Sequence, residues 1–161
     1  MRVLLTFISF VVAGCTSDPR DPAFPSVDAN VQALGLRLSF DLVDGGYTVF
    51  AVDANDETIA KAVAQLRKLR QGTSLTELDY ERRFSFFLGG TAITDKAIEG
   101  ILSLEVTQVR LNGTKVTPES LRLLQQEEHL KVLVIGKDQF SKDELQSFTE
   151  SRPNVVVMYA E

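Results

Sequence analysis

The sequence predicts an α/β fold in which strand–turn–helix units of 23–24 residues repeat along the chain and contribute their strands to one parallel sheet. Similar segments begin at Leu88, Leu111 and Ile135, at spacings of 23 and 24 residues. A run of alternating apolar residues precedes each segment, and apolar residues at helical spacing follow it. A fixed period of this length indicates stacked units, because one strand–helix unit cannot bury its apolar face alone.

The composition is that of a single globular domain. The chain has 161 residues, of which 44% are hydrophobic and 24% charged. Its formal net charge of −5 gives no support to the basic patch that nucleic-acid binding requires. One cysteine and one histidine exclude an internal disulfide, a four-cysteine zinc site and any site that needs two imidazoles.

The first fifteen residues have the features of a secretory signal. Arg2 is followed by an apolar run at 3–12, which is shorter than the roughly 20 residues needed to span a bilayer as a helix. The sequence Val12-Ala13-Gly14-Cys15 comes next. It resembles the bacterial lipobox, and this resemblance implies a lipoprotein signal peptide at 1–14 and diacylglyceryl attachment at the Cys15 sulfur. A buried cysteine at the end of an ordinary apolar helix is the alternative.

The lipobox resemblance implies a lipid-anchored protein of the cell envelope, with its domain in the periplasm or outside the cell. Residue 16 is Thr rather than the Asp that commonly retains lipoproteins in the inner membrane, which favours the outer membrane. The body of the chain is acidic, so its attachment to a membrane would rest on the acyl chains. Three prolines lie at 15–25, which predicts an extended tether between the anchor and a folded domain at 26–161.

The elements before the regular repeats are less uniform. A short helix is expected at 26–34, with Gly35 as its C-terminal cap. Alternating apolar residues at 36–42 and 47–52 flank Asp44-Gly45-Gly46 and predict a β-hairpin. Together the helix and hairpin would form the amino-terminal cap of the sheet. A helix at 59–69 follows, and the stretch at 71–83, which breaks the period, is expected to be an insertion.

The regular repeats occupy about 84–159. Each unit carries a hydroxyl residue where its helix should begin, namely Thr94, Thr117 and Ser141. Pro118 stands at the first position of its helix, and Ser141 with Glu144 has the spacing of a capping box. Three unrelated strand–helix units are the alternative, but three caps in one register favour a repeat.

These units resemble leucine-rich repeats. The skeleton L-x-x-L-x-L-x-x-N-x-L appears as Val106, Val109, Leu111, Thr114 and Val116, and again as Leu130, Leu133, Ile135, Asp138 and Phe140. The form L-x-G-T-x-V-T is similar to repeats of secreted and lipid-anchored proteins from planctomycete-type bacteria. The resemblance implies a short leucine-rich-repeat solenoid. Its asparagine position is held here by Thr91, Thr114 and Asp138, which have fewer donors, so a weaker hydrogen-bonded ladder is expected.

No residue pattern points to catalysis, a metal or a cofactor. His129 stands beside Glu127 and Glu128, where a surface role is expected. The acidic segment at 53–57 lacks the glycine and glutamate of a calcium loop. The glycine-bearing turns at 89–90 and 112–113 lack a Walker lysine, and the repeat already accounts for them. We therefore expect no catalytic residue, no metal site and no cofactor, and a protein that is not an enzyme.

One face of the sheet is the candidate functional surface. If Val106, Leu111, Leu130 and Ile135 point into the core, the alternate strand positions face away from it. Those positions are Ser85, Phe87, Gln108, Arg110, Val132, Val134, Val156 and Met158. A contiguous exposed apolar strip marks an interaction site, unless a loop or the tether covers it. The candidate partner contacts are Phe87, Arg110, Val132, Val134, Val156 and Met158.

These observations predict a lipid-anchored leucine-rich-repeat module that binds a protein or peptide through the concave side of its sheet. A structural envelope lipoprotein without a discrete ligand is the alternative. Nucleic acid is not expected as a partner, and nothing in the sequence names the protein that is bound.

Overall fold

The computed structural model describes residues 23–40, 46–71 and 83–160. These residues form five helices and a six-stranded sheet. In chain order the elements are α1 (Phe24–Ala33), β1 (Leu36–Phe40), β2 (Tyr47–Ala51), α2 (Asp56–Gln71), β3 (Phe84–Phe87), α3 (Asp95–Ile101), β4 (Val106–Arg110), α4 (Pro118–Leu124), β5 (Val132–Gly136), α5 (Lys142–Ser151) and β6 (Val156–Ala160). The predicted signal peptide at 1–14, Cys15, the hairpin turn at 44–45 and most of the insertion at 71–83 lie outside the described residues.

The strands follow one another across the sheet in chain order, from β1 to β6. β1 pairs antiparallel with β2, as the predicted hairpin requires, and every later pair is parallel. Each helix from α2 to α5 connects two neighbouring parallel strands. Right-handed crossovers place such helices on the same face of a sheet. The predicted α/β class and its largely parallel sheet are therefore confirmed.

One hydrophobic core lies between the helices and the sheet. Buried helix residues such as Leu66, Ile98 and Phe148 belong to the same cluster as the buried strand residues. Every position that the sequence places inward, namely Val106, Leu111, Leu130 and Ile135, is at most 3% exposed. The predicted assignment of the two strand faces is confirmed, because Gln108, Arg110, Val132 and Val134 are less buried than the inward positions. Strict alternation is interrupted in β4, where the register with β3 shifts and both Thr107 and Gln108 are partly exposed.

The folded part begins earlier than the sequence predicts. Helix α1 starts at Phe24, inside the stretch predicted as tether at 15–25. Pro25 lies in the first turn, where a missing N–H costs little, and Phe24 stacks on Tyr47 with ring centroids 5.9 Å apart. The helix therefore begins two residues before its predicted start at residue 26, and Phe24 is buried. The rest of the predicted tether lies outside the described residues.

The helix caps repeat as predicted. The side chains of Thr94 and Thr117 accept hydrogen bonds from the backbone N–H groups two residues later. Ser141 and Glu144 form the predicted capping box. Helix α2 begins three residues before the predicted start at 59, because the Asn55 side chain accepts from Thr58 and caps it at residue 56.

The turns after the parallel strands differ from the predicted asparagine ladder at one place. Thr91 and Thr114 each donate their hydroxyl to the carbonyl three residues earlier, at 2.7 and 2.6 Å. Asp138, predicted at the equivalent position, is exposed. Its neighbour Gln139 donates instead to the Leu111 carbonyl at 3.0 Å and to the Thr114 hydroxyl at 3.1 Å. The longer amide reaches the preceding turn, so Gln139 takes the role assigned to Asp138.

Candidate functional site

The face of the sheet opposite the helices carries two continuous rows of side chains. The strand register places one row across the sheet as Ser39, Thr48, Ser85, Gln108, Val132 and Val156. The second row is Arg37, Phe50, Phe87, Arg110, Val134 and Met158. We call these twelve residues the outer face. Adjacent members of a row stand on neighbouring strands, about 4.8 Å apart.

All six predicted contact residues lie in these rows. Val134 pairs with Met158 and Val132 with Val156 on the last two strands, while Phe87 pairs with Arg110 on β3 and β4. Among the described residues nothing covers the end of this surface, because Val156 is 58% and Met158 52% exposed. The structure thus brings the predicted residues together on one surface, and their contact with a partner stays a prediction.

The two ends of the second row differ in chemistry. At the β1 end, the Phe50 and Phe87 rings lie 5.1 Å apart, and the Arg37 guanidinium carbon lies 6.0 Å from the centre of the Phe50 ring. That distance is within the range of a cation–π contact. Beyond the two rings, Arg110 donates from Nε to the Asn112 side chain at 2.8 Å. The β5–β6 end is aliphatic, so the row passes from cationic and aromatic to purely apolar.

A shallow cavity of about 480 Å³ lies on the outer face over β2 to β5. Its lining consists of Gly46, Thr48, Phe50, Arg83, Ser85, Phe87, Thr107, Gln108, Lys131 and Val132. Hydroxyl and amide groups form much of its surface, two phenylalanines form one side, and two cations lie at the edge where the strands begin. The described lining contains neither a carboxylate nor an imidazole that could serve as a general base beside its hydroxyls. Such a cavity offers hydrogen-bonding groups, aromatic surface and positive charge to a ligand.

Sequence reasoning missed the part of this surface that comes from β1 and β2. The sequence places Arg37, Thr48 and Phe50 in a cap, although they continue the same two rows. The alternation of residues in both strands is the signal that could have found them. Alternation could not have identified Lys131, because this residue precedes β5. It lines the cavity because the start of β5 lies beside β4.

Two aspartates link successive units on the opposite side of the sheet. Asp56, at the start of α2, accepts from the Thr94 backbone N–H at 2.8 Å and from its hydroxyl at 2.7 Å. Asp95, at the start of α3, accepts in the same way from Thr117 at 2.8 and 2.6 Å, and also from the Ser120 hydroxyl. Each carboxylate thus anchors the cap of the following helix.

The Asp95 carboxylate is held in its charged form. Burial raises the pKa of Asp95, but the hydrogen bonds donated by Ser120 and Thr117 together outweigh burial and lower that pKa below its ordinary value. The bonds connect α3 to the start of α4. We therefore assign Asp95 a structural role.

The single histidine lies in a structural cluster before β5. His129 Nδ1 is 3.2 Å from Glu127 Oε1, which also accepts from the His129 backbone N–H at 3.1 Å. The Arg152 guanidinium donates to five backbone carbonyls between residues 124 and 130. These contacts hold the connection from α4 to β5.

Metal-binding clusters and membrane-spanning helices are both absent from the described part of the chain. Within it, no group of three or more histidine, cysteine, aspartate or glutamate side chains is placed to hold a metal ion. None of its helices combines the length and the apolar character needed to cross a membrane.

Comparison with known proteins assigns no family. No protein-family model matches the sequence, and no curated protein shows significant similarity to it. The function must therefore be inferred from the outer face and from the sequence motifs.

Proposed function

We propose that this chain is a lipid-anchored leucine-rich-repeat module of the bacterial cell envelope that binds a protein or peptide through the outer face. The single observation that carries the binding role is the row of aromatic and aliphatic side chains across neighbouring strands, with Val156 and Met158 more than half exposed. A contiguous exposed apolar surface is typical of an interaction site.

The repeat interpretation is supported by the order of the elements. Strands β2 to β6 are neighbours in chain order, and each is separated from the next by a helix, as stacked units require. Equivalent bonds recur between units: Asp56 and Asp95 bind the threonine caps of the next helix. Gln139 joins two successive turns in a similar manner. A solenoid in which the outer face is the concave side accounts for all of these features.

The binding role is tested by changing the aliphatic end of the outer face. Val134→Ser combined with Met158→Ser should weaken capture of the partner at least tenfold, because apolar anchors buried in an interface contribute more than about 1 kcal/mol each. The partner would first be identified by crosslinking wild-type protein in membranes and purifying it in detergent. The free energy of unfolding should hardly change, since both side chains lie outside the core.

The matched control lies on the exposed side of α5. Lys142→Ser with Glu150→Ser should leave capture unchanged, because both residues are exposed on the helical side of the molecule. Equal capture by wild type and the Val134/Met158 variant would contradict the binding role. It would favour the alternative, a structural envelope lipoprotein without a discrete ligand. Unfolding caused by the strand pair would mean that this surface is internal.

The proposed anchor is tested at Cys15. Because only the thiol can form the thioether, Cys15→Ala should give an unprocessed or soluble protein that takes up no labelled fatty acid, whereas wild type should partition into detergent. Cys15→Ser is a closer control, since it keeps the size of the side chain and still lacks the sulfur. Identical fractionation of the wild type and both variants would rule out lipidation.

A further inference from the structure

We propose that the segment bound by the outer face is an acidic peptide in extended conformation, with carboxylates over Arg37 and Arg110 and apolar side chains over the phenylalanines and the aliphatic end, while Lys131 adds positive charge at the edge of the cavity. This inference rests on the proposed interaction function and adds the chemistry of the partner. It follows from the distribution of charge, from the pairing of the cations and from their spacing.

The outer face has the opposite charge to the rest of the protein. The chain contains 22 acidic and 17 basic side chains. The two rows of the outer face include Arg37 and Arg110 and, among their twelve described positions, no carboxylate. Lys131 adds a third cation at the edge of the cavity. Interfaces carry complementary charges, and like charges repel wrong partners, so this surface favours an anionic segment.

Among the residues that the structure describes, the three cations also lack the carboxylate partners that cations on the helical side have. On the helical side, Lys61 lies 2.6 Å from Glu57 and Arg122 lies 2.7 Å from Glu119. Within the described residues, no such pair forms at Arg37, Arg110 or Lys131. Arg37 contacts the face of Phe50, and Arg110 binds the neutral Asn112. In the described part of the chain, a carboxylate bound at any of the three therefore displaces no ion pair.

The spacing of the cations fits an extended peptide that crosses the strands. Arg37 and Arg110 are separated by three strand-to-strand steps in the second row, which is about 14 Å. An extended chain covers about 3.3 Å per residue, so this distance corresponds to about four residues. Residues i, i+2 and i+4 of such a chain point to the same side. Acidic residues at i and i+4 would meet the arginines while an apolar residue at i+2 covers Phe50 and Phe87.

The same register carries an apolar residue at i+6 towards Val134 and Met158, which continue the row beyond Arg110. A matching probe is the fluorescein-labelled peptide Glu-Ser-Leu-Ser-Glu-Ser-Leu. Its matched controls replace both glutamates by glutamine or by lysine. The serines are the same in all three peptides. The glutamate and glutamine peptides have nearly the same size and differ chiefly in charge, whereas the lysine peptide reverses the charge with a longer side chain.

Fluorescence anisotropy with these three peptides measures the proposed selectivity. At about 50 mM salt, the glutamate peptide should bind at least tenfold more tightly than the glutamine peptide, and the lysine peptide should bind most weakly. The advantage of the glutamate peptide should shrink at about 0.5 M salt, because screening weakens contacts between partly exposed charges. The combined change Arg37→Gln, Arg110→Gln and Lys131→Gln should abolish the preference for the glutamate peptide. The matched change Lys96→Gln, Lys115→Gln and Lys142→Gln removes the same charge from other exposed positions and should preserve it.

Equal binding of the glutamate and glutamine peptides, or binding of none of the three, would overturn the acidic-peptide proposal. Equal loss of the preference in both triple variants would overturn it as well. Binding to phosphatidylglycerol vesicles without binding to the glutamate peptide would overturn the proposal and identify an anionic membrane surface as the ligand instead. The interaction function is judged separately: loss of partner capture by the Val134/Met158 variant would support it even if selectivity for acids fails.

Discussion

The two faces of the sheet are made from the same strands and follow different rules. On the inner face, Phe84, Val109, Leu133 and their neighbours are apolar and almost fully buried. On the outer face, positions one residue away range from Arg37 and Gln108 to aliphatic side chains. A change in the polarity or volume of a buried side chain lowers the stability of the fold, whereas the same change at a solvent-exposed position has little effect on stability. Chemical variety is therefore concentrated where it costs little stability.

This difference teaches how function is divided in the molecule. The inner residues and the caps of the helices hold successive units together, and they repeat from unit to unit. The outer residues do not repeat: cations and aromatic rings lie over β1 to β4, and aliphatic residues lie over β5 and β6. Changes on the two faces should accordingly affect different measurements.

The largest expected effect is the loss of an inner leucine. Leu111→Ala or Leu133→Ala should each lower the free energy of unfolding by roughly 2–5 kcal/mol, since both side chains are fully buried and would leave a cavity. Arg110→Ala, on the outer face beside them, should cost less than about 1 kcal/mol, which allows for its hydrogen bond to Asn112. Chemical denaturation measures all three. A greater loss for Arg110 than for Leu111 would break the comparison between the faces.

The sequence predicts which strand residues lie on the inner face and which lie on the outer face wherever the same local pattern recurs along the chain. Alternating residues and hydroxyl caps mark strands and helix starts within each unit, and so the inner positions and all six candidate contacts were placed on the correct faces. Pairing between distant segments is harder to derive. The row that joins Arg37 and Phe50 to Phe87 depends on the register of three strands. Likewise, the start of α1 depends on Phe24 stacking on Tyr47, and the role of Gln139 depends on reaching a neighbouring turn.

An intermediate effect is expected at the link between units. Asp95→Asn should lower the free energy of unfolding at pH 7 by about 1 kcal/mol, because an amide accepts more weakly than a carboxylate and the site is partly exposed to solvent. The pKa of Asp95 is lower in the folded protein than in the unfolded chain. The charged carboxylate therefore adds to the free energy of unfolding above the ordinary pKa of about 3.9, and this stabilisation is lost as the pH falls through the folded pKa.

Wild type and Asp95→Asn should therefore differ at pH 7, begin to converge below about pH 3.9, and converge fully only below the folded pKa of Asp95, as urea denaturation at a series of pH values would show. Lys96→Gln, at the next position of α3, serves as a control that leaves the bonds to Thr117 in place. A difference between wild type and Asp95→Asn that stays constant down to pH 2 would mean that the charge of Asp95 contributes nothing to the link.

The smallest expected effect separates paired from unpaired cations. Lys61 forms an ion pair with Glu57 on the exposed surface of α2, and this pair lowers the pKa of Glu57 through the hydrogen bond and charge of Lys61. Lys61→Gln should thus lower the midpoint of denaturation slightly at low salt and not at 1 M salt, where the pair is screened. Lys131→Gln should leave the midpoint unchanged at both salt concentrations, because within the described residues Lys131 has no carboxylate partner. If Lys131→Gln instead lowers the midpoint at low salt alone, then Lys131 already stabilises the folded chain through an ion pair. It would then have to give up that pair to receive a carboxylate of the partner.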